Sequence, residues 1–557
     1  MKDKKDFTWR YSAVLILMAI GIIILGIRLV DLHIFNHDFL TKQGDMRTVR
    51  TVNLPAHRGM ILDRNGEPLA ISTPVDSIWI NPKEYFIEPQ DITPMTELLD
   101  MNVSDFAKRL DASRKKEFLY VKRQLNPEIA HSVLALEIPG VYTQREYRRF
   151  YPLGEVTAQL IGVTNIDGTG QEGIELAYDE ALSGQDGKKR VLRDRLGRVI
   201  ENIELIQTNQ DGQHLYLSID KRIQYLAYRE LKSAITKHQA KAGMVIAIDV
   251  NTSEVLAMVN YPSFNPNGLL RPQAGMRNRA VADTFEPGST MKPLAMAAIL
   301  ETGEVDFDTI VDTSPGHMKV HRNVVKDLHN YGPLSLTMVL RHSSNVGIAK
   351  LLLPLPREDI NQIWQRLGLT QITQSGFPGE QAGRITMSPN LDSFSYATQA
   401  FGYGLSVTGI QLAQAYATLA NEGEQHPVSL LRINAPIRTE KVLDKEVAIA
   451  VSQMLVLNAE DQGTGRYAQI PGYKVSGKTG TTRKINETGG YADNRHVALF
   501  AGFAPATNPQ IAMIVLIDEP TQGEYYGGLV AAPVFSKIMG GSLRLLNVPP
   551  DDLSPNG

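Results

Sequence analysis

Ser289-Thr290-Met291-Lys292 sets a hydroxyl and an amine three residues apart, and therefore on one face of a helix if the segment is helical. A serine becomes a nucleophile only beside a base, and a lysine desolvated near another cation can lose its proton and serve as one. Pro287-Gly288 supplies a turn that exposes Ser289 at a helix start, and Pro293 falls in the first turn, where proline is tolerated. Two further segments supply complementary groups. Ser343-Ser344-Asn345 offers a second hydroxyl and an amide, suited to relaying a proton and holding a substrate carbonyl. Lys478-Thr479-Gly480-Thr481, on a predicted strand, offers a cation and two hydroxyls to a carboxylate, with Gly480 admitting close backbone approach.

Each pattern alone is weak, because the chain repeats two of them elsewhere. Ser113-Arg114-Lys115-Lys116 lies in a charged, surface-like run, and Ser218-Ile219-Asp220-Lys221 begins at the end of a strand, where positions three apart point to opposite faces. Ser388-Pro389-Asn390 copies the second pattern but reads as a turn because of its proline. Only Ser289 has a turn followed by an apolar helical stretch.

The elements that must position these groups begin after a polar break at Asn209-Gln210-Asp211-Gly212. Leu215 to Ile219 alternates as a strand, and Asp220 is suited to cap the helix that follows. Met244 to Asp249 and Glu254 to Asn260 are strands around a turn. Ser289 to Leu300 and Gly409 to Asn421 are helical, while Lys474 to Thr481, His496 to Ala504 and Gln510 to Ile517 are strands before a closing helix from Val530 to Leu546. Strands at both sequence ends with helices between them imply one antiparallel sheet packed by helices. Before the break, Asn65-Gly66 reads as a tight hairpin turn in which both residues take positive φ.

The 557 residues exceed one compact domain, and a content of 43% hydrophobic and 21% charged residues is that of a globular protein. A net charge of −3 gives no basic excess for nucleic acid, and Lys188-Lys189-Arg190 reads as solvated surface. Cysteine is absent, which excludes disulfides, thiolate metal sites and a cysteine nucleophile, and the 12 histidines form no metal-ligand motif, so no metal or other cofactor is expected. From Tyr11 to Ile27 the chain is uncharged and apolar, and with Leu29 and Val30 it is long enough to cross a bilayer. No small-x-small cleavage site follows, so the segment reads as an uncleaved signal anchor, and Lys2, Lys4, Lys5 and Arg10 favour a cytoplasmic N-terminus.

In order along the chain, S-x-x-K, S-x-N and K-T-G-T resemble the active-site set of penicillin-binding proteins and serine β-lactamases. In that superfamily the serine attacks the penultimate D-alanine carbonyl of a D-Ala-D-Ala stem peptide and forms an acyl-enzyme. The resemblance implies Ser289 as nucleophile, Lys292 as its base, and Ser343 and Asn345 as proton relay and substrate support. It further implies catalytic Lys478 with Thr479, Gly480 and Thr481 binding the terminal carboxylate, and an oxyanion hole from the N–H groups of Ser289 and Thr481. Tyr403 and Tyr525-Tyr526-Gly527-Gly528 are expected to line the cleft.

Arg58 to Ala70, Arg145 to Pro152 and Gly173 to Tyr178 resemble boxes of the class B pedestal, and Glu286 to Pro293 looks most like the division-septum subclass, FtsI type. The implied chain is an α+β multidomain protein: a cytoplasmic tail at 1–10, a transmembrane helix at 11–30, an elongated mixed pedestal at 31–212, a β-lactamase-like transpeptidase domain at 213–548, and a tail at 549–557. The implied function is cross-linking of septal peptidoglycan, with acylation by β-lactams, from the periplasmic side of the inner membrane. The implied partners are a membrane glycosyltransferase of the FtsW type and other divisome proteins. An elongation-type class B enzyme is the alternative, and a non-catalytic sensor of the same fold is disfavoured by the intact motif set. Gly472 to Thr479 also fits the phosphate-loop pattern G-x-x-x-x-G-K-T. A phosphate loop opens a helix, however, and the residues after Thr479 carry no helical period.

Overall fold

The computed structural model describes residues 8–83, 85, 92–193, 199–268, 275–460, 463–486 and 489–552. Lys2, Lys4 and Lys5 of the expected cytoplasmic tail, and the end of the expected C-terminal tail, lie outside the described residues. The apolar run forms a helix, α1 (Thr8–Val30), which continues through a π-helical turn at Asp31–Phe35. Trp9 to Phe35 is long and apolar enough to cross a membrane, and none of its most apolar window is buried within the protein.

The chain packs into two compact units that alternate along the sequence. One comprises Met1–His57, Pro74–Arg148 and Gly184–Gly212, and the other Arg58–Thr73, Arg149–Ser183 and Gln213–Gly557. Within the first, Ile78, Ile80, Met95, Phe106, Val121 and Val133 form a core, and the strands Val49–Leu54, Gly187–Arg193 and Val199–Gln207 form an antiparallel sheet.

The second unit is built on a five-stranded sheet. The helix α2 (Lys221–Lys237) starts where Asp220 accepts the Arg222 N–H (2.9 Å), as its position before the helix leads one to expect. The strands β1 (Ala242–Asp249) and β2 (Val255–Tyr261) pair, and β3 (Ser476–Ile485), β4 (Tyr491–Ala504) and β5 (Ile511–Asp518) complete an antiparallel sheet in the order β2-β1-β5-β4-β3. Met244, Ile246, Ile248, Leu499, Ala501, Ile514 and Leu516 face one core, and Val245, Ala247, Ala498, Phe500, Met513 and Val515 face the other. Because helices cover both faces, the strands β1, β2 and β5 are apolar at nearly every position instead of alternating. On the first face lie α3 (Lys292–Glu301) and α5 (Gly409–Ala420), and on the second lie α2 and the closing helix α6 (Ala532–Leu545). The edge strand β3 carries Lys478 to Thr481 and runs beside the turn that carries Ser289, whose element is a 3-10 turn (Gly288–Met291) leading into α3.

The hairpin at Asn65-Gly66 differs from the expectation. Only Gly66 has positive φ (+85°); Asn65 does not, because the Asp63 carboxylate accepts the N–H groups of Asn65 (2.8 Å) and Glu67 (2.9 Å) and fixes an Asx turn. The run after Ser113 is exposed as expected, but Ser113 itself is buried.

The three box segments of the N-terminal half meet around one carboxylate. Glu175, fully buried, accepts Arg58 Nε (2.7 Å) and Arg149 Nε (2.6 Å), while Arg58 Nη1 reaches Asp179 (2.6 Å). Removing one partner of a buried ion cluster leaves an uncompensated charge. Glu175→Gln is therefore expected to cost about 3–5 kcal/mol of stability, read as a lowered denaturant midpoint. A midpoint equal to wild type would show that the arginines find other partners.

Candidate active site

Ser289 sits half-buried at the start of α3, and the glycines around it explain how it is held. Gly288 has φ +56°, and its N–H donates to the Gly402 carbonyl (3.1 Å). Gly402 (φ +80°) lies so close that an added Cβ would stand 2.2 Å from the Gly288 carbonyl oxygen. Gly480 permits the same intimacy from the other side, since a Cβ there would meet the Pro287 carbonyl at 3.0 Å. The Tyr416 hydroxyl, deep in α5, donates to the Thr290 carbonyl (2.8 Å) and fixes the turn from beneath.

The first two motifs converge. Lys292 Nζ donates to Ser343 Oγ (3.0 Å) and to the Ser343 carbonyl, and Ser343 Oγ donates to Ser289 Oγ (3.1 Å). Ser343 holds φ +55°, a conformation that costs a non-glycine residue about 1–3 kcal/mol and persists only where its surroundings enforce it. Ser344 caps the helix α4 (Asn345–Leu352) by accepting the Gly347 N–H (2.8 Å), and the Asn345 amide donates to the Lys326 carbonyl (2.9 Å).

Lys292 and Lys478 are both fully buried. Burial, then the charge of Lys478, holds the Lys292 ammonium well below the ordinary amine value, with the Asp327 charge acting the other way. Burial brings Lys478 down to about 7. Two depressed amines in one site can divide the work, one neutral as a base and the other charged.

The third motif lies along β3. Thr479 Oγ1 donates to Thr464 Oγ1 (3.0 Å), and Thr481 Oγ1 accepts the Gly527 N–H (2.9 Å), which brings the Tyr525–Gly528 segment against the strand. Tyr525 stacks on His496 at 4.1 Å. Tyr403 is half-buried on the loop whose Gly402 supports Gly288, its ring edge-on to Tyr491 at 5.5 Å. The Glu286 carboxylate ties that loop down, accepting the Gly404 N–H (2.8 Å) and the Tyr491 hydroxyl (3.1 Å).

Lys478 and Thr479 lie within a strand, not at a helix N-terminus, so the phosphate-loop geometry is absent from these residues. The look-alike serines are elsewhere engaged. Ser218 Oγ donates to the Val255 and Ser429 carbonyls, Lys221 pairs with Glu67 (2.7 Å), and Ser388 Oγ accepts the Asn390 N–H in a turn. Among the described residues, no cluster of three or more His, Asp or Glu is placed to hold a metal. A cavity of about 410 Å³ is lined by Met244, Arg279, Phe285, Glu286 and Leu516, but Ser289, Lys292, Ser343 and Lys478 do not line it. Side-chain geometry, not volume, locates the reactive cluster. Sequence reasoning missed Asp327 and Tyr416, drawn in from distant segments with no local pattern to mark them, and it gave no contact to Glu286, Gly402 or Gly527, which lie in or beside segments it singled out.

Comparison with known proteins places both halves of the chain in one family. Residues 243–540 match the penicillin-binding protein transpeptidase domain, and residues 53–217 match the penicillin-binding protein dimerisation domain. The chain is 41% identical over 553 residues to the peptidoglycan D,D-transpeptidase FtsI of Escherichia coli strain K12, covering 98% of this chain and 93% of the relative. It is equally 41% identical over 546 residues to the probable peptidoglycan D,D-transpeptidase PbpC of Pseudomonas aeruginosa, covering 98% and 96%. Among solved structures, it is similar to penicillin-binding protein 3 of Mycobacterium tuberculosis complexed with aztreonam, with a TM-score of 0.70, 26% identity and coverage of 90% of this chain and 98% of that one. The transpeptidase domain of Burkholderia pseudomallei penicillin-binding protein 3 aligns at 40% identity and a TM-score of 0.56, covering 60% of this chain and 98% of that one.

Proposed function

The chain belongs to the class B penicillin-binding proteins, and from that premise we propose that it is a peptidoglycan D,D-transpeptidase working through a Ser289 acyl-enzyme. The observation that carries the reading is the unbroken path from Lys292 Nζ through Ser343 Oγ to Ser289 Oγ. Neutral Lys292 takes the Ser289 proton, directly or through Ser343, as Ser289 Oγ attacks the penultimate D-alanine carbonyl. The N–H groups of Ser289 and Thr481 hold the oxyanion, in a role usually worth a few kcal/mol per donor. Collapse breaks the peptide bond and returns the proton to the departing D-alanine amine. The amine of a second stem peptide then attacks the acyl carbon, forms the cross-link and releases Ser289. Asn345 supports the substrate backbone, and Tyr403 lines the cleft.

Lys478, Thr479, Gly480 and Thr481 receive the substrate's terminal carboxylate. An amine near 7 is only partly charged at neutral pH, and an incoming carboxylate raises it and completes the ion pair. Because Thr481 Oγ1 already accepts from Gly527, its O–H is the group left to donate to that carboxylate. Thr481→Ala is therefore expected to lower the second-order rate of penicillin acylation by about tenfold or more, roughly 1.4 kcal/mol, with Thr481→Ser losing much less. Equal rates for the two variants would remove Thr481 from carboxylate binding.

Membership and the FtsI-named relatives support septal cross-linking as the cellular role, with β-lactams as acylating inhibitors. The partners that this reading carries are an FtsW-type glycosyltransferase and other divisome proteins. The apolar helix near the N-terminus supports a single-pass anchor in the inner membrane. The basic residues before it favour a cytoplasmic N-terminus and a periplasmic catalytic unit. The function is tested with detergent-solubilised full-length protein and a stem peptide ending in D-Ala-D-Ala. D-alanine release, with a cross-linked product when an amine acceptor is supplied, is expected. Magnesium-dependent ATP binding that disappears in Lys478→Ala, without D-alanine release from wild type, would overturn the reading.

A further inference from the structure

Asp327 has no role in any of the three motifs, yet its carboxylate touches the second one at Ser344 and Asn345 and the next residue at Val346. It follows directly on the hairpin of His317–Val320 and Asn323–Lys326. One oxygen accepts the Ser344 hydroxyl, and the other accepts the N–H of Asn345 and, at 3.0 Å, the N–H of Val346. The preceding residue, Lys326, takes the Asn345 side-chain amide on its carbonyl. The end of this hairpin therefore grips the backbone immediately after Ser343, while Lys292 grips the Ser343 carbonyl from the opposite side. Ser343, at φ +55°, is the residue between the two grips.

We infer that Asp327 is a positioning residue for acyl transfer: it clamps Ser344 to Val346 so that Ser343 keeps its left-handed backbone and its hydroxyl stays between Lys292 Nζ and Ser289 Oγ. The inference rests on the acyl-transfer reading above. It adds that a residue sixteen positions upstream of Ser343 sets both the geometry and the proton balance of the cluster. The charged groups that bear on Lys292 are Lys478, which favours its neutral form, and Asp327, which favours its protonated form. Tyr331 is the titratable group that senses Asp327 from the loop beyond it.

The two contributions separate by substitution. Asp327→Asn keeps the size and one acceptor oxygen but removes the charge, whereas Asp327→Glu keeps the charge and displaces it by one methylene. The measurement is the second-order rate of penicillin acylation as a function of pH on the detergent-solubilised full chain. Neutral Lys292 is the active form, so the rate rises through its titration. Without the Asp327 charge the ammonium loses support, and in Asp327→Asn the acid limb should move to lower pH. The alkaline plateau should fall by about tenfold, since charge-assisted bonds are lost. Asp327→Glu should lower the plateau while leaving the limb at its wild-type pH. An Asp327→Asn limb superimposed on wild type would reduce Asp327 to a folding role and overturn the inference, whatever happens to the plateau. If Asp327→Asn does not fold, a wild-type plateau in Asp327→Glu overturns it instead. Wild-type protein that forms no adduct at any pH would sink the acyl-transfer reading itself, a result distinct from either of these.

Discussion

Ser289→Ala is expected to abolish the penicillin adduct completely, whereas Ser113→Ala and Ser218→Ala should retain it. The ranking follows from what each hydroxyl touches. Ser289 Oγ is the terminus of the Lys292–Ser343 path and sits half-buried at a turn built from Gly288, Gly402 and Gly480. Ser113 is buried while Lys116 is exposed, so the pair is split between interior and solvent. Ser218 gives its proton to two backbone carbonyls, and Lys221 is occupied by Glu67. Ser218→Ala takes a donor from the Val255 carbonyl, while the Ser429 carbonyl keeps the Val255 N–H (2.9 Å). The lost donor lowers stability by about 1–3 kcal/mol without touching the reactive cluster. Intact-mass analysis with peptide mapping checks all three variants, and an adduct surviving on Ser289→Ala would refute the assignment.

Lys292→Met is expected to slow acylation by about 10²–10⁴-fold, the usual contribution of a positioned base, and at the same time to make the protein more stable at neutral pH. The second half follows from burial. Lys292 is fully buried with its ammonium held well below the ordinary amine value, whereas in the unfolded chain it titrates near about 10.4. Between those two values the unfolded chain binds a proton that the folded chain does not. Wild-type stability therefore rises with pH across this window and carries the full penalty below the folded value. Methionine fills similar volume with no such penalty, although it forfeits the bonds to Ser343. Thermal melts of both proteins across pH should show an advantage for Lys292→Met at pH 7 that shrinks as pH approaches about 10. Acylation within about tenfold of wild type would mean that another group serves as the base.

Chain order and residue type alone determined the family, the reaction class and the broad architecture. The motif set is local: each of S-x-x-K, S-x-N and K-T-G-T fits within four residues, and Pro287-Gly288 before Ser289 marks a turn whatever the rest of the chain does. The apolar run to Val30 and the Asp220 cap were legible for the same reason, since both depend on near neighbours. The strands of the sheet were also legible, although burial on both faces removed the alternation that usually betrays a strand. The Asn65-Gly66 turn follows the Asp63 carboxylate, two residues before it, instead of its own dipeptide preference. Elsewhere local pattern failed where a distant group changed the outcome. Within the second unit Arg58 and Arg149 meet Glu175, charges far apart in the chain that no window contains. Only the tertiary structure could decide that Asp327 braces the Ser343 turn, that Gly402 supports Gly288 and that Gly527 fills the acceptor side of Thr481. Hydrogen bonds and close packing act over a few ångströms of space without regard to separation along the chain, so residues that set the conformation of a reactive group carry no mark of it in their own surroundings.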